Sequence, residues 1–250
     1  GQAYAGGALS VLALLAAPSL PGPAGLAVGL AAGAFAGAFV ALPSALSRRN
    51  LGADVLLSTF LVSQAVVLVL DWAIAGPLRD PASNLIATPV VEAAYRLPRL
   101  APPSWLSFAP VLAAAAAVAL DRFLRSSRRG LEITLFGRNP DFAASRGFRV
   151  RAYAFWPLLA SGALNGLAGA LLALGANGRA VRGMTGGIGW NGISIALLAG
   201  NDPRLILPAA LFFSWLETGS RQASILAGSS VDVGTVAKAL VLLVATARFL

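Results

Sequence analysis

Long apolar runs alternate with short polar stretches along almost the whole chain. They cover residues 3–17, 24–46, 53–75, 105–124, 153–174, 204–226 and 231–249. Each run is long enough, or nearly so, to cross about 30 Å of hydrocarbon as a helix that rises about 1.5 Å per residue. A shorter run, from Trp190 to Gly200, could cross only about half of that thickness. The pattern predicts an all-α, polytopic integral membrane protein that includes short or discontinuous helices.

The arrangement of arginines predicts which loops face the cytoplasm. Arg48 and Arg49 follow one apolar run, and eight arginines lie in the basic stretch from Arg122 to Arg151. Cytoplasmic loops carry such an excess, so both segments are expected inside, and the nearly balanced, Pro-rich segment 76–104 outside. Because successive spans cross the membrane in opposite directions, residues 175–189 are then expected outside and the C-terminus inside. It leaves open whether 190–226 makes two crossings or a re-entrant pair.

Composition narrows the functional classes. The apolar fraction is 57% and the charged fraction 12%, which favours a membrane protein of one transmembrane domain over residues 1–250. The chain has no cysteine and no histidine, so thiolate or histidine metal sites and Ser-His or Cys-His catalysis are excluded. Lys238 is the only lysine, and it does not stand in a phosphate-binding loop. We therefore expect no catalytic residue, metal or cofactor. The net charge of +9 is explained by topology rather than by nucleic-acid binding.

A short helix is predicted in the middle of the basic stretch, which we treat as a cytoplasmic segment, 122–151. Asn139 is a good N-cap, Pro140 suits the first turn, Asp141 complements the helix dipole, and Gly147 stands where a left-handed residue ends a helix. Two turns are too few for a helix to be stable alone in water. We expect something outside this chain to hold it; a solvated loop is the alternative.

Glycines at every fourth position predict a close helix contact. Small residues on one face allow two membrane helices to approach through their backbones. The face is made by Gly25, Gly29, Gly33 and Gly37, and Gly162 with Gly166 repeats the spacing later in the chain.

Polar side chains inside the apolar runs are candidates for a solute pathway. The sequence from Gly200 to Pro203 interrupts a hydrophobic stretch, as the broken helices of transporters do near the membrane midplane, although an ordinary extramembrane turn would look the same. Amides and an aromatic ring suit a neutral polar ring compound, while hydrogen bonding between helices is the other role open to the amides. The candidates are Gln64, Asn165, Trp190, Asn191 and Asn201. Asp71 and Glu217 lie toward the ends of runs and are expected to be paired or interfacial.

Several of these segments, in this order and spacing, resemble the permease subunits of ABC importers in the ribose and branched-chain amino-acid superfamily. The similarity is greatest to permeases that work with basic-membrane-protein-type lipoproteins and import nucleosides. The segments that carry it are Gly76–Pro81, Gly137–Gly147, Ser161–Ala170, Gly189–Ile193, Ala196–Pro203 and Ala209–Phe212.

The resemblance implies an inverted-repeat permease that forms half of a translocation pathway in a bacterial-type inner (plasma) membrane. Its partners would be an ABC ATPase subunit, a second permease subunit, identical or different, and an extracytoplasmic solute-binding lipoprotein. The implied solutes are nucleosides, with simple sugars or branched-chain amino acids as alternatives, and an ion-coupled secondary transporter is the alternative of another class. It also implies that one or two helices of the family are missing before Gly1. The implied ATPase-coupling residues are Arg138, Asn139, Pro140, Asp141, Phe142, Ala143, Ala144, Arg146 and Gly147.

Overall fold

The computed structural model describes residues 1–100, 104 and 106–226. These residues form helices joined by turns, with isolated bridges at Ala87–Val181 and Arg99–Ser107 and no β-strand within the described part. The α-helices are α1 (Gln2–Ala16), α2 (Gly22–Leu51), α3 (Val55–Ala75), α4 (Ala109–Ser126), α5 (Arg128–Arg138), α6 (Pro140–Ser145), α7 (Val150–Tyr153), α8 (Trp156–Leu172), α9 (Ile188–Leu198) and α10 (Pro203–Leu226). A π-helical turn, Ala173–Asn177, continues α8. The predicted all-α class is confirmed, and the apolar run 231–249 lies outside the described residues.

The described helices include several that suit a bilayer. Gly22–Leu51, Val55–Ala75 and Val150–Asn177 are long and apolar enough to cross a membrane, and Gln2–Ala16 and Ile188–Leu198 are shorter apolar helices. The expected polytopic membrane protein is therefore confirmed. The break expected around residues 200–203 is also present, since α9 ends at Leu198 and α10 begins at Pro203.

The chain forms two compact units, which we describe separately. The first comprises Gly1–Ala113 and Arg128–Gly186, and the second comprises Ala114–Ser127 and Gly187–Leu250. The first unit contains α1 to α3 and α5 to α8. The second contains most of α4 together with α9 and α10.

Backbone contact between α2 and α8 forms the centre of the first unit. A Cβ atom added to Gly33 would lie 2.6 Å from Ala170 Cβ and 3.2 Å from the Gly166 carbonyl oxygen. A Cβ atom on Gly37 would overlap the Gly162 carbonyl oxygen and lie 2.6 Å from Gly166 Cα. Helix α1 packs into the same contact. The predicted glycine face is thus the place where three helices meet.

The other two glycines of this face have softer neighbours. A Cβ atom on Gly25 would meet the ring of Tyr95, and one on Gly29 would lie 3.0 Å from Leu14 Cδ1 and 3.2 Å from Leu174 Cδ1. Leucine side-chain ends can move, whereas a helix backbone cannot. The four glycines share one spacing but do not carry equal steric constraint.

The Pro-rich segment 76–100 is folded against the chain that follows α8. The amides of Thr88 and Val91 each donate to a carbonyl, those of Ala180 and Gly178 respectively, at 2.9 Å. Thr88 is completely buried, and its hydroxyl accepts from the Ala180 amide at 3.1 Å. Both segments were expected outside the membrane, and they lie together in the first unit.

The ends of α2 and α8 that were expected inside also lie together. The Arg49 guanidinium stands 5.5 Å from the centre of the Phe155 ring, immediately before α8 begins. The segments that were expected on the same side of the membrane thus lie together, which is consistent with the orientation predicted from the arginines. The side of the membrane itself remains a prediction.

We expect Gly37→Ala to destabilise the folded chain by about 1–3 kcal/mol, because the new methyl group would press on the α8 backbone. Gly29→Ala is the matched control, since its methyl group meets only leucine side-chain ends. Thermal denaturation of both variants in detergent measures the difference. Equal melting temperatures for Gly37→Ala and the parent would contradict the close backbone contact.

Candidate coupling segment and solute pathway

Helix α6 is stabilised at both ends by its own sequence. The Asn139 side-chain oxygen accepts from the Phe142 amide at 2.9 Å, and Pro140 occupies the first helical position. At the other end, Gly147 has φ +76°, the amide of Gly147 donates to the Ala144 carbonyl at 3.0 Å, and the amide of Phe148 donates to the Ala143 carbonyl at 3.0 Å. This is the Schellman arrangement, in which a left-handed residue satisfies the last carbonyls. The predicted helix and both of its caps are confirmed.

Part of the support for α6 comes from this chain. The helix packs against α5 and α7, and Ala143 is completely buried in that contact. The chain itself thus supplies part of the support that so short a helix needs, and the outside partner remains a prediction. Burial of one small side chain anchors the inner face and leaves the outer face uncovered.

The outer face of α6 combines charge with one aromatic ring. The Arg146 guanidinium lies 5.2 Å from the centre of the Phe142 ring, and Phe142 is 40% exposed. Such a pair presents a flat, positively charged surface. Apart from buried Ala143, the residues implied in coupling are all exposed: Arg138, Asn139, Pro140, Asp141, Phe142, Ala144, Arg146 and Gly147.

A carboxylate connects α5 with α7, and sequence reasoning did not identify it. Glu132 accepts hydrogen bonds from the Tyr153 hydroxyl and, at 3.1 Å, from Arg128 Nε. The hydrogen bond from Tyr153, followed by that from Arg128, lowers the pKa of Glu132 below its ordinary value. The carboxylate therefore stays charged and bonded at neutral pH. The rings of Phe136 and Tyr153 also lie 6.4 Å apart.

The first unit holds two of the predicted pathway residues. Gln64 on α3 and Asn165 on α8 both have exposed side chains. The Asn165 amide nitrogen donates to the Ser161 carbonyl of its own helix at 3.0 Å. That bond satisfies one donor and leaves the amide oxygen available, which agrees with either a pathway role or an interhelical contact.

The second unit holds the other three, and it adds an acid beside them. The Asn191 amide nitrogen on α9 donates to Glu217 Oε2 on α10 at 3.1 Å, and Arg221 donates to Oε1 at 3.3 Å. Trp190 is 63% exposed, and Asn201 is exposed with φ +57° in the turn before α10. Glu217 is thus a paired group, as expected, and its partner is a predicted pathway residue.

Four charged side chains join the turn between α9 and α10 to α4. Arg125 contacts Asp121 at 2.6 Å and Asp202 at 2.8 Å, while Arg204 contacts Asp121 at 3.3 Å. The Arg204 amide also donates to Asp202 at 3.0 Å. We call Asp121, Arg125, Asp202 and Arg204 the charge cluster. The sequence did not predict this cluster, because α4 and the turn are distant along the chain.

The second intramembrane acid is also paired. The Tyr4 hydroxyl donates to Asp71 Oδ1 at 2.6 Å and accepts from the Gly183 amide at 3.2 Å. Arg182 Nε lies 3.7 Å from Asp71 Oδ2. The contact ties α1 and α3 to the segment that follows α8.

Comparison with known proteins decides the family. A family model described as "Branched-chain amino acid transport system / permease component" matches residues 1–247. The chain belongs to this permease family. The match covers both units and every helix described above, so the resemblance seen in the sequence is confirmed.

Individual relatives of this permease differ in the solutes that their names give. It is 31% identical over 214 residues to the probable riboflavin import permease protein RfuC of Treponema pallidum, covering 84% of this chain and 56% of that protein. It is 33% identical over 134 residues to the guanosine ABC transporter permease protein NupP of Bacillus subtilis, covering 53% of this chain and 38% of that protein. The glucose ABC transporter permease protein TsgB13 of Haloferax volcanii is 30% identical over 133 residues, covering 53% of this chain and 35% of that protein.

The permease chain spans about half the length, or less, of these relatives. No solved structure matches it.

We expect Asn139→Ala to open α6 locally, since losing a side-chain cap costs about 0.5–2 kcal/mol. Amide exchange at Phe142 should become about two- to thirtyfold faster. Asn139→Asp keeps an acceptor oxygen and is the control. Unchanged exchange in the alanine variant would show that packing alone holds the helix.

Proposed function

We propose that this chain is the membrane-spanning permease subunit of an ATP-driven ABC importer in the cell inner (plasma) membrane. The observation that carries the proposal is the capped α6, which is anchored by Ala143 and exposes the rest of its surface, in a chain of the permease family. Such a helix is suited to transmit movement from a partner without unfolding. The permease itself performs no chemistry, and a separate chain hydrolyses ATP.

The proposed complex has partners on both sides of the membrane. An ABC ATPase subunit docks on the exposed face of α6 around Phe142 and Arg146. A second permease subunit, identical or different, completes the pathway, and an extracytoplasmic solute-binding lipoprotein delivers the solute. Names of relatives support the ABC class, since those of NupP and TsgB13 state it.

The coupling route within the chain follows from its contacts. Closure of the ATPase displaces α6, and α6 packs on α5 and α7. Glu132 bonds α5 to Tyr153, which ends α7 three residues before α8 begins. Helix α8 meets α2 through glycine backbone contacts that cannot be compressed. A rigid displacement of α6 therefore reaches the membrane helices and switches the pathway between outward and inward access.

Replacing Gly147 by valine, or Asn139 and Pro140 together by alanine, should leave the protein in the membrane but uncouple uptake from ATP hydrolysis. The valine substitution forces a β-branched residue into a left-handed conformation, at a cost of about 1–3 kcal/mol. Ser145→Ala, on the same exposed helix, is the control. Reconstituted complexes report uptake and ATPase stimulation together. Parental values of both in the Gly147 variant would refute the coupling role.

For the solute, we propose a nucleoside or a closely similar ring compound. The pathway residues offer amide hydrogen bonds and an aromatic face: Gln64, Asn165, Trp190, Asn191 and Asn201. The names of two relatives give guanosine and riboflavin, each a flat heteroaromatic ring that carries a sugar or sugar-alcohol chain. A simple sugar is the second candidate, because another relative is named as a glucose permease.

Uptake of labelled nucleosides, riboflavin, glucose and leucine by the full reconstituted complex tests the solute. We expect nucleoside uptake, which falls about tenfold or more in Asn165→Ala and Asn191→Ala through loss of hydrogen bonds to a buried solute. Arg99→Gln, in the external segment, is the control. Glucose or leucine uptake without nucleoside uptake would refute the nucleoside assignment, and normal uptake by both asparagine variants would refute the site.

A further inference from the structure

The charge cluster holds one sharp turn against one helix end. Gly200 and Asn201 both have positive φ, at +61° and +57°, so the chain reverses within a few residues between α9 and α10. Asp202 follows at once and contacts Arg125 with both of its carboxylate oxygens at 2.8 Å. Backbone hydrogen bonds hold the turn to the end of α9, where the Asn201 amide donates to the Ala196 carbonyl at 2.9 Å and the Asp202 amide to the Ala199 carbonyl at 3.1 Å. Its position beside α4 depends on side chains.

The pairing within the cluster is closed. Arg125 binds a carboxylate on its own helix and one on the turn, and Arg204 returns from α10 to Asp121. Two arginines and two aspartates leave no net charge. Releasing the turn separates two ion pairs in a single step, since Asp202 leaves Arg125 as Arg204 leaves Asp121. Networks of this kind are stronger than isolated surface pairs, although the Arg125 and Arg204 side chains are 45% and 60% exposed.

The place of the cluster along α4 indicates its side of the membrane. Arg125 lies in the last turn of α4, directly before the eleven-residue α5 and the rest of the arginine-rich stretch. That stretch is the segment for which the positive-inside rule gives the clearest orientation. The predicted orientation therefore puts the turn that Arg125 holds at the cytoplasmic end of α4 and not at the midplane.

We propose that the charge cluster is a cytoplasmic latch: Arg125 holds the α9–α10 turn closed over the inner end of the second unit, and release of Asp202 opens it. This inference rests on the proposed transport function, because it takes the solute pathway to run beside Asn191 and Asn201. Arg125 is a positioning residue in this account, since it acts through the turn rather than on the solute.

The absence of cysteine allows a direct test in the full chain. Ala199 is the C-cap of α9 beside the turn and is 1% exposed, so the thiol of Ala199→Cys is shielded while the latch is closed. The probe is a membrane-impermeant maleimide, applied to inside-out and to right-side-out vesicles. Ala209→Cys, at a buried position farther along α10, is the matched reporter.

We expect Ala199→Cys to react slowly with the maleimide, and only from the cytoplasmic side. Arg125→Gln and Asp202→Asn should each raise that rate about fivefold, because each removes the contact between Arg125 and Asp202. The double variant should be no faster than either single one, because both remove the same contact. Arg125→Lys, which keeps the charge but not the planar fork, should fall between. Arg128→Gln, which breaks an arginine–glutamate pair within α5, should change nothing.

Reaction from the outer side, or an unchanged rate in both single variants, would overturn the latch. Faster reaction at 209 as well as at 199 would also overturn it, since that result shows general unfolding rather than release of the turn. The measurement needs neither solute nor ATPase. A latch that behaves as expected in a complex that transports nothing would refute the transport proposal alone.

Discussion

Close backbone contact between helices is the constraint on which the first unit depends. Lipid is as apolar as leucine, so membrane helices gain little by hiding hydrophobic side chains and associate instead through dense packing. Here Gly37 and Gly162 bring α2 and α8 together with no side chain between them, and α1 fits into the same contact. A Cβ atom added to Gly37 or Gly162 would overlap atoms of the facing helix. The contact between α2 and α8 is stiff because it consists mainly of helix backbone, which cannot move aside as a flexible side chain can.

That stiffness supports the coupling role that we propose for α6. A helix of six residues could not displace a loosely packed helix bundle. Helix α6, however, packs against α5 and α7, and only two residues separate α7 from α8. The Glu132–Tyr153 bond keeps the intermediate elements from sliding. In the proposed coupling route, these contacts transmit a force applied at Phe142 to α8, provided that the caps of α6 hold.

Local features were predictable from the sequence, and contacts between distant residues were not. The caps of α6 follow from Asn139, Pro140 and Gly147 because the atoms involved are within a few residues of one another. The glycine face follows from its period of four, but spacing alone could not show that Gly29 meets leucine ends whereas Gly37 meets backbone. The bonds of the charge cluster that link α4 to the turn and to α10, and the Asn191–Glu217 bond, join residues 26 to 83 positions apart. No local pattern marks such pairs. The contacts of segment 76–100 were not predicted for a related reason, because an irregular segment has no hydrophobic periodicity from which its packing could be inferred.

Segment 76–100, which is predicted to be external, can complete its contacts only after a later part of the chain has been made. Thr88 is bonded to Ala180, a residue that is synthesised 92 positions later. Contacts of such high sequence separation close late, after the intervening chain has been ordered. Helices α1 to α3 can therefore enter the membrane while segment 76–100 still waits for its partner, and its buried polar groups are satisfied only when α8 has crossed and the chain beyond it has emerged on the same side. The Thr88–Ala180 contact therefore forms only in chains in which α8 has crossed the membrane. Its formation is a point at which quality control could distinguish finished from stalled chains.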